Sequence, residues 1–531
     1  MKKIIALLLA VLMIMSLVAC GDSTTPEKKQ NEPTETTTPS TPDSSDTKGP
    51  TTNAERYPLD TDTVLRVLIS EDGLGDTDAS ALWTEVTGVE IENLTWNNEQ
   101  MMTSLASNDI PDAIIMPWTF PKDTVYEYGR AGKFLDFSQY LDKMPNVSAV
   151  FEKYPEAIDI CTYPDGAVYS LPQVNWNTAY QSNVIYLNVN MMHELGWENA
   201  PTTTDEFIQL LKEAQDKYGA TDPDFVAFHP YNKTYMRWNV TNSVSAAFFP
   251  SFGDLIETGL TLDQDNKVTL GAATEQYKHY LEFMHEIWTS GTFETEVYTL
   301  ETAAGKAAIQ EGHCIASIGT YAPEADSDGS IIVMAPLTSE YQSTQQWQRV
   351  STVRYRGCVA SASCSDLDTL LAYIDSFYAP LEDPLDDEGT VYGKCFSNGR
   401  LGTHWTIDEA TQTWTKIEGT TFTNYYDQLY GGEFLYTPAG SLHVKGEGVL
   451  KNCLPYAVQV SGLDSLTLEE DAQDEYVDIW TDMESYISEM HGKFISGEED
   501  IASGWDSYMK NLEKMGLNNL LTIYQNAYDA K

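Results

Sequence analysis

Residues 64–116 read VLRVLISEDGLGDTDASALWTEVTGVEIENLTWNNEQMMTSLASNDIPDAIIM, and this stretch decides the class of fold. Apart from Arg66, its first six residues are valine, leucine or isoleucine, which is typical of a buried strand. Helical and strand patterns then alternate, at 80–86, 89–96, 98–107 and 110–116. Because such alternation is typical of α/β domains, we expect an α/β fold with a largely parallel sheet in this part of the chain.

Turn and helix signals follow downstream. Pro164 and Gly166 in TYPDGAVY favour a tight turn of a hairpin. Thr203 and Glu206 have the spacing of a capping box, which predicts the start of a helix. From about residue 469 to the end, the apolar residues keep helical spacing. The sequence therefore predicts an α/β body with a helical C-terminal part.

The composition limits the classes of function. The chain has 531 residues, 42% of them apolar, and a formal net charge of −49. A body that begins near Tyr57 has about 475 residues, which suits two or three lobes. Nucleic-acid binding requires a basic face, and an anionic membrane surface would repel so acidic a body. Both classes are therefore excluded.

Cysteine and histidine usage indicates neither a disulfide framework nor a metal centre. Six of the seven cysteines lie in the body without a CxxC pair, and we expect mostly free, buried thiols. The eight histidines are scattered, so no cofactor or metal is expected. LDQDNKVTL at 262–270 faintly resembles a calcium loop, but it has neither the glycine nor the final glutamate. A hairpin turn is the better interpretation.

The N-terminus has the pattern of a targeting segment. Lys2 and Lys3 precede an apolar run of 16 residues at 4–19. A membrane-spanning helix needs about 20 apolar residues, so this run is too short. A charged start, a short apolar core and small residues before a cleavage site are typical of a secretory signal.

The end of that run resembles a bacterial lipobox, LVAC at 17–20. The resemblance implies a signal peptide at 1–19 that is cut before Cys20, and a diacylglycerol on the Cys20 thiol. Two acyl chains hold a protein on a membrane where one would not. The stretch that follows is rich in Ser, Thr and Pro, so residues 20–56 are expected to form a disordered tether.

Several blocks of the body resemble, in order, those of the extracellular solute-binding proteins of ABC importers, in the branch that binds sugars and oligosaccharides. The blocks are LASNDIPD at 105–112, FLDFSQYL at 134–141, DGAVYSLP at 165–172, YLNVN at 186–190, LGW at 195–197, PTT at 201–203 and KFISGEED at 493–500. Their shared order behind a lipobox is specific to the superfamily. NGRLGTHW at 398–405 departs from the family's block at Arg400 and Leu401.

The resemblance implies a type II, periplasmic-binding-protein-like fold, in which two α/β lobes joined by a hinge close on a ligand. The crossings between lobes are expected near 173–182 and 317–323, with a third after Tyr355. The body at 57–531 then divides into two expected lobes. The first is mainly 57–172 and 305–365, and the second is mainly 180–304 and 366–531.

The function implied is transport rather than catalysis. A monomeric protein, lipid-anchored on the extracytoplasmic face of the cell membrane, would capture a carbohydrate, and in particular an oligosaccharide. It would deliver this ligand to the permease subunits of an ABC transporter.

A sugar presents hydroxyl groups and apolar C–H faces, so its site needs aromatic platforms beside polar side chains. The candidate ligand contacts are Trp96, Trp118, Asn175, Trp176, Asn177, Tyr235, Arg237, Trp238, Tyr321, Arg354, Arg356 and Trp405. The alternatives are core packing for the aromatic residues and ion pairs for the arginines. Two arginines in the cleft would favour an acidic sugar or a peptide carboxylate.

Two other functions stay open at this point. A lipoprotein of the same fold could bind peptides instead of glycans. A secreted glycoside hydrolase would need two carboxylates about 5–10 Å apart, but among 80 acidic residues such pairs carry no information. The sequence has no nucleophile elbow, zinc motif or phosphate loop that would favour an enzyme.

Overall fold

In a computed structural model of the chain, the folded part is a unit that extends from Pro50 to Lys531. The predicted signal peptide and lipid anchor fall in the other unit, Met1–Gly49, outside the described residues. The described residues are 52–69, 77–95, 98–115, 120, 122–175, 184–231, 242–249, 259–263, 265–319, 329–348, 353–391, 399–408, 410, 413–421, 430–432, 437–438, 448–458, 463 and 466–530.

The strands of this unit are short and are numbered in chain order. They are β1 Val64–Ile69, β2 Glu90–Leu94, β3 Ala113–Ile115, β4 Leu171–Asn175, β5 Val184–Asn188, β6 Phe228–Pro230, β7 Leu260–Leu262, β8 Val268–Leu270, β9 Ala316–Gly319, β10 Ile331–Val333, β11 Trp347–Gln348, β12 Val353–Ala360, β13 Trp405–Asp408, β14 Thr413–Lys416, β15 Tyr430–Gly432, β16 Thr437–Pro438 and β17 Ala457–Val458.

The helices cover the sheets and form the C-terminal part. They are α1 Asn53–Arg56, α2 Asp78–Thr87, α3 Asn98–Ser107, α4 Lys122–Arg130, α5 Pro145–Lys153, α6 Pro155–Cys161, α7 Val189–Glu194, α8 Thr204–Tyr218, α9 Asn242–Ser245, α10 Glu275–Thr289, α11 Thr302–Gln310, α12 Leu367–Ser376, α13 Glu470–Ser496, α14 Ile501–Met515 and α15 Leu517–Asp529. A π-helix, Val449–Cys453, lies between β16 and β17.

The first sheet has the strand order β15-β4-β12-β3-β1-β2. β1 is parallel to β2 and β3, as the alternating pattern of residues 64–116 predicts. β12 is antiparallel to β3 and β4, and β15 is parallel to β4. The sheet as a whole is therefore mixed, because β12 joins it from a distant part of the chain. In its core, Trp83 packs against Phe377 with ring centroids 5.2 Å apart.

The second sheet has the order β10-β5-β9-β6, with β5 antiparallel to β10 and β9, and β6 parallel to β9. α8, α10 and the C-terminal helices α13–α15 share one apolar core with it. The predicted capping box is present at the start of α8, where Thr203 and Glu206 bond to each other's backbone. Trp480 and Trp505 are buried in this core, and Trp288 packs against it.

The two sheets divide the chain differently from the expected lobe boundaries. β9 and β10 pair with strands of the second sheet, although residues 305–365 were expected in the first lobe. α12 and Val391 lie in the first core, although 366–531 was expected in the second lobe. Strand partners and helix faces of this kind are long-range choices, which local sequence patterns do not specify.

The expected tether ends earlier than predicted. Asn53–Arg56 forms helix α1, whose first residue is buried, so the tether cannot extend to residue 56. The side-chain amides of Asn53 and Asn146 donate to each other at 3.0 Å. Arg56 forms an ion pair with the fully buried Asp375 at 2.5 Å. The folded body therefore begins at about residue 52.

Several smaller expectations agree with the structure. Gly166 has a φ of +82° in the predicted turn, and its N–H donates to the Tyr163 carbonyl at 2.8 Å. β7 and β8 form the antiparallel hairpin expected at 262–270. The described body cysteines are free, and all but Cys364 are buried.

Among the described residues, no group of three or more His, Cys, Asp or Glu side chains could hold a metal ion. No described helix is long and apolar enough to span a membrane.

Candidate functional site

The carboxyl ends of β1, β2, β3 and β4 meet at one edge of the first sheet, together with that of β15, which is parallel to β4. β1, β2 and β3 are parallel, and β4 points the same way because both β3 and β4 are antiparallel to β12. β12 begins at this edge, since its first residue, Val353, lies opposite Val174. Ligands of open α/β sheets bind outside the carboxyl ends of the strands.

The candidate residues of the first half of the chain follow these strand ends. Trp96 follows β2, Trp118 follows β3, and Asn175 is the last residue of β4. Trp176 and Asn177 continue directly from Asn175. Trp96, Trp118, Trp176 and Asn177 lie outside the described residues, as does the side chain of Asn175. The described strands therefore end at one edge of the sheet, directly before these candidates in the chain.

The second sheet has a corresponding edge. β6 and β9 are parallel and end there at Pro230 and Gly319, and β5 begins there because Val184 pairs with Gly319. The candidates Tyr235, Arg237 and Trp238 come after β6, and Tyr321 comes after β9. These four lie outside the described residues.

Two glycines allow close backbone packing at this edge. A Cβ at Gly305, on α11, would overlap the carbonyl oxygen of Tyr231. A Cβ at Gly319 would lie 2.8 Å from the Cβ of Tyr231, which is closer than real Cβ atoms approach. Both positions therefore require glycine. The two glycines allow α11 and β9 to pack directly against Tyr231, the residue that follows β6.

The chain passes between the two sheets at three places. The first is 176–183, between β4 and β5, which agrees with the expected crossing near 173–182. The second lies between β10, in the second sheet, and β12, in the first. The expected crossing at 317–323 is wrong, because β9 and β10 on either side of it both belong to the second sheet. The third lies between β15, in the first sheet, and Leu463, in the second core.

Arg354 and Arg356 lie near the start of β12, where its pairing with β4 is interrupted by a register shift. Such bulges re-aim side chains and are common beside binding sites. Both arginines are half-buried. The Nε of Arg356 donates to the Tyr355 hydroxyl at 2.9 Å, and this hydroxyl donates to the Phe120 carbonyl at 3.2 Å. The structure thus holds Arg356 in place at the candidate edge.

Trp405 is closed to a ligand, in contrast to its predicted role. It is 0% exposed, and its indole N–H donates to the Gly399 carbonyl at 2.7 Å. Its ring packs edge-on against Trp414, with centroids 6.1 Å apart. Trp405 is therefore a core residue of the small sheet β13-β14-β16, and it leaves the candidate set.

The departure of Arg400 from the family pattern has a structural explanation. Its Nη2 contacts Glu85 at 3.2 Å and Asp386 at 3.3 Å. These ion pairs attach the loop before β13 to residues that flank the first core.

Sequence reasoning missed Asp123, in the first turn of α4. Burial raises the pKa of its carboxyl to about 6, and the neighbouring Lys122 and the backbone N–H of Leu468 act in the opposite direction. Tyr126 of the same helix packs in a core of the first sheet, whereas Leu468 packs in the second core. Asp123 thus links parts of the chain that belong to different cores. An aspartate in a first helical turn is too common for a sequence signal.

This architecture is the fold of the extracellular solute-binding proteins of ABC importers, as the ordered sequence blocks predicted. No model of a protein family matches the chain. The curated fructooligosaccharide ABC transporter substrate-binding protein FusA of Streptococcus pneumoniae serotype 4 is 23% identical over 480 residues, which are 83% of this chain and 85% of FusA.

Solved structures agree in fold over nearly the whole length of each. FusA of S. pneumoniae in complex with kestose has a TM-score of 0.68 and 20% identity, over 88% of this chain and 99% of FusA. An HMO-binding solute-binding protein of Bifidobacterium longum infantis has a TM-score of 0.68 and 19% identity, over 88% and 98%. The alginate-binding protein AlgQ2 has a TM-score of 0.65 and 17% identity, over 88% and 99%.

Proposed function

We propose that this protein is a membrane-anchored, extracytoplasmic solute-binding protein that captures an oligosaccharide and delivers it to the permease subunits of an ABC transporter. The observation that supports the proposal is that the aromatic candidates come after strand ends along the chain. Trp96, Trp118 and Trp176 follow strand ends at the edge of the first sheet, and Trp238 and Tyr321 follow strand ends of the second. Aromatic platforms beside amides and arginines suit the C–H faces and hydroxyl groups of a sugar.

The relatives support a carbohydrate as the ligand. FusA is named for fructooligosaccharides, and its structure contains kestose. The relatives are transport proteins rather than enzymes, and we propose no reaction for this chain. The predicted lipobox at Cys20 supports a lipid anchor. A tether from Cys20 to about residue 51 would then connect the lipid to α1, the first described helix. We propose a monomer in contact with the permease.

The chemistry of one edge favours an acidic glycan as a second candidate. Arg354 and Arg356 lie near the start of β12, where Arg354 is opposite Gln173 of β4. A guanidinium group binds carboxylates through two parallel hydrogen bonds. The likeness in fold to an alginate-binding protein is consistent with this candidate.

Calorimetric titration tests the proposal. The purified protein is titrated with kestose, fructo-nystose, Man5GlcNAc, alginate oligosaccharides and a peptide mixture, with tryptophan fluorescence as a second signal. We expect saturable binding of at least one oligosaccharide. Binding of peptides together with failure of every glycan would replace the proposal with a peptide-binding function. A Cys20→Ala variant that still takes up fatty acid in cells would refute the anchor.

A further inference from the structure

The first turn of α4 lies beside the candidate edge of the first sheet. The carbonyl of Phe120, two residues before α4, accepts from the hydroxyl of Tyr355 at 3.2 Å. Tyr355 is the third residue of β12, which begins at this edge. Asp123 follows Phe120 by three residues and is half-buried. Asp123 therefore lies close to the candidate edge.

The carboxylate of Asp123 contacts the second core. It accepts a hydrogen bond from the backbone N–H of Leu468, which is 4% exposed and packs in that core. Tyr126, on the same helix as Asp123, packs in a core of the first sheet. Burial and the negative charge of Glu469 raise the pKa of Tyr126, so Glu469 also lies near α4. α4 and residues 466–469 thus form a direct contact between the cores of the two sheets, the inter-core contact.

The inter-core contact is costly while Asp123 is ionised. Burial raises the pKa of its carboxyl from 3.8 to about 6, although the charge of Lys122 and the backbone N–H that it accepts act in the opposite direction. The other titratable groups that face this contact do not offset the cost. Tyr126 and Tyr163 stay neutral because burial raises their pKa, and Glu469 is exposed and has the same charge as Asp123.

A second polar group is buried at the inter-core contact. The hydroxyl oxygen of Thr467, the residue before Leu468, is buried and makes no hydrogen bond with any described residue. A buried polar group without a hydrogen bond disfavours the packed arrangement, because it has lost its bonds to water. Of these two costs, the one from Asp123 varies with pH.

Proton linkage gives the sign and the size of this variation. A carboxyl that left the contact would return to water, where its pKa is 3.8, so the contact binds the proton more tightly than a separated arrangement does. The inter-core contact is then about tenfold more favourable at pH 5 than at pH 7.5.

We infer that the inter-core contact is a pH-sensitive tie, which protonation of Asp123 strengthens and its ionisation weakens. A ligand that contacts both sheet edges favours the arrangement in which the two cores are held together. Acidic pH therefore strengthens capture of the ligand. This effect on binding rests on the proposed function, whereas the tie itself does not.

The first test compares Asp123→Asn with Asp159→Asn, which removes the same charge from an exposed position on α6. The asparagine mimics a protonated carboxyl at every pH. Small-angle X-ray scattering of the ligand-free protein at pH 5 and pH 7.5 measures the radius of gyration. We expect the wild type and Asp159→Asn to be more compact at pH 5, and Asp123→Asn to be equally compact at both. Asp375 also has a pKa of about 6, but it bonds to Arg56 and Val147 beside the first core, so its effect persists in both variants.

The second test is calorimetry with kestose and fructo-nystose, which carry no charge that changes with pH. For the wild type, we expect a Kd that is lower at pH 5 than at pH 7.5, by up to about tenfold. In Asp123→Asn, Kd at pH 7.5 should equal the wild-type value at pH 5, because the neutral amide oxygen still accepts from Leu468.

Three results would overturn the inference. The first is a wild-type radius of gyration that is the same at both pH values, which needs no variant. The second is a response to pH in Asp123→Asn as large as that of the wild type. The third is weaker binding by Asp123→Asn at pH 7.5, which would make Asp123 a direct ligand contact instead. If no glycan binds to the wild type, the proposed function fails, and the scattering comparison still decides whether the tie exists.

Discussion

Removal of Arg56 should destabilise the protein by an amount that depends on pH. The carboxylate of Asp375 is fully buried and accepts from the Arg56 guanidinium at 2.5 Å and from the Val147 N–H at 2.9 Å. Burial outweighs these favourable contacts and raises the pKa of Asp375 from 3.8 to about 6. In Arg56→Met, the carboxylate would be left without its counter-charge.

The magnitude follows from the charge state of Asp375. At pH 7.5 the carboxyl is ionised in the wild-type protein, and breaking a buried ion pair from one side costs about 3–5 kcal/mol. At pH 5, below the folded pKa, the carboxyl is largely protonated, and the loss is that of one hydrogen bond, about 1 kcal/mol. In the wild type, the raised pKa stabilises the fold at low pH. That contribution, about 3 kcal/mol, is lost as the pH rises from about 4 through 6.

Urea unfolding followed by circular dichroism at pH 5 and pH 7.5 measures both values. Lys212→Met is the control, because its ion pair with Glu286 is about half exposed on each side and contributes less than about 1 kcal/mol at either pH. Equal losses for Arg56→Met at the two pH values would refute the role of the Asp375 charge. A loss no larger than that of the control would refute the burial argument as a whole.

The other predictions concern single contacts. Burial lowers the pKa of His491 to about 3. The wild type should therefore lose stability as the pH falls below about 6.5, by up to about 1.4 kcal/mol per pH unit. In His491→Gln, the dependence of the unfolding free energy on pH, measured by urea unfolding, should be weaker, and an unchanged dependence would contradict the assignment. Gly305→Ala should lower Tm sharply, because its Cβ would overlap the Tyr231 carbonyl. Gly132→Ala is the control, because its φ is +72° but no atom lies near the added Cβ, so it reports backbone strain alone. An equal fall in Tm for the two variants would exclude the overlap as the cause. Thr203→Ala removes the capping box of α8 and should cost about 1 kcal/mol in urea unfolding; no loss would mean that tertiary packing alone holds the helix start.

Local features of the fold could be predicted because they depend on neighbouring residues. The strands and helices of residues 64–116, the capping box at Thr203 and the turn at Gly166 all follow from short patterns. Sheet membership could not be predicted in the same way. β9 and β12 find their partners far along the chain, and nothing in their composition distinguishes one sheet from the other.

The residues of the candidate site also could not be predicted from local sequence patterns alone. Trp405 and Trp176 both lie beside polar residues in the sequence, so their local patterns do not distinguish a core residue from a ligand contact. The burial of Trp405 depends on Trp414 and the Gly399 carbonyl, which meet it only in the folded small sheet. Asp123 carries no sequence signal, because the burial that shifts its pKa exists only after folding.

A crystal structure of the protein with the tightest-binding oligosaccharide of the titrated panel tests the central claim most directly. The account predicts sugar rings between the edges of the two sheets, with Trp176 or Trp238 within about 4.5 Å of a ring face. Sugar bound away from both edges, or rings that contact neither tryptophan, would contradict it.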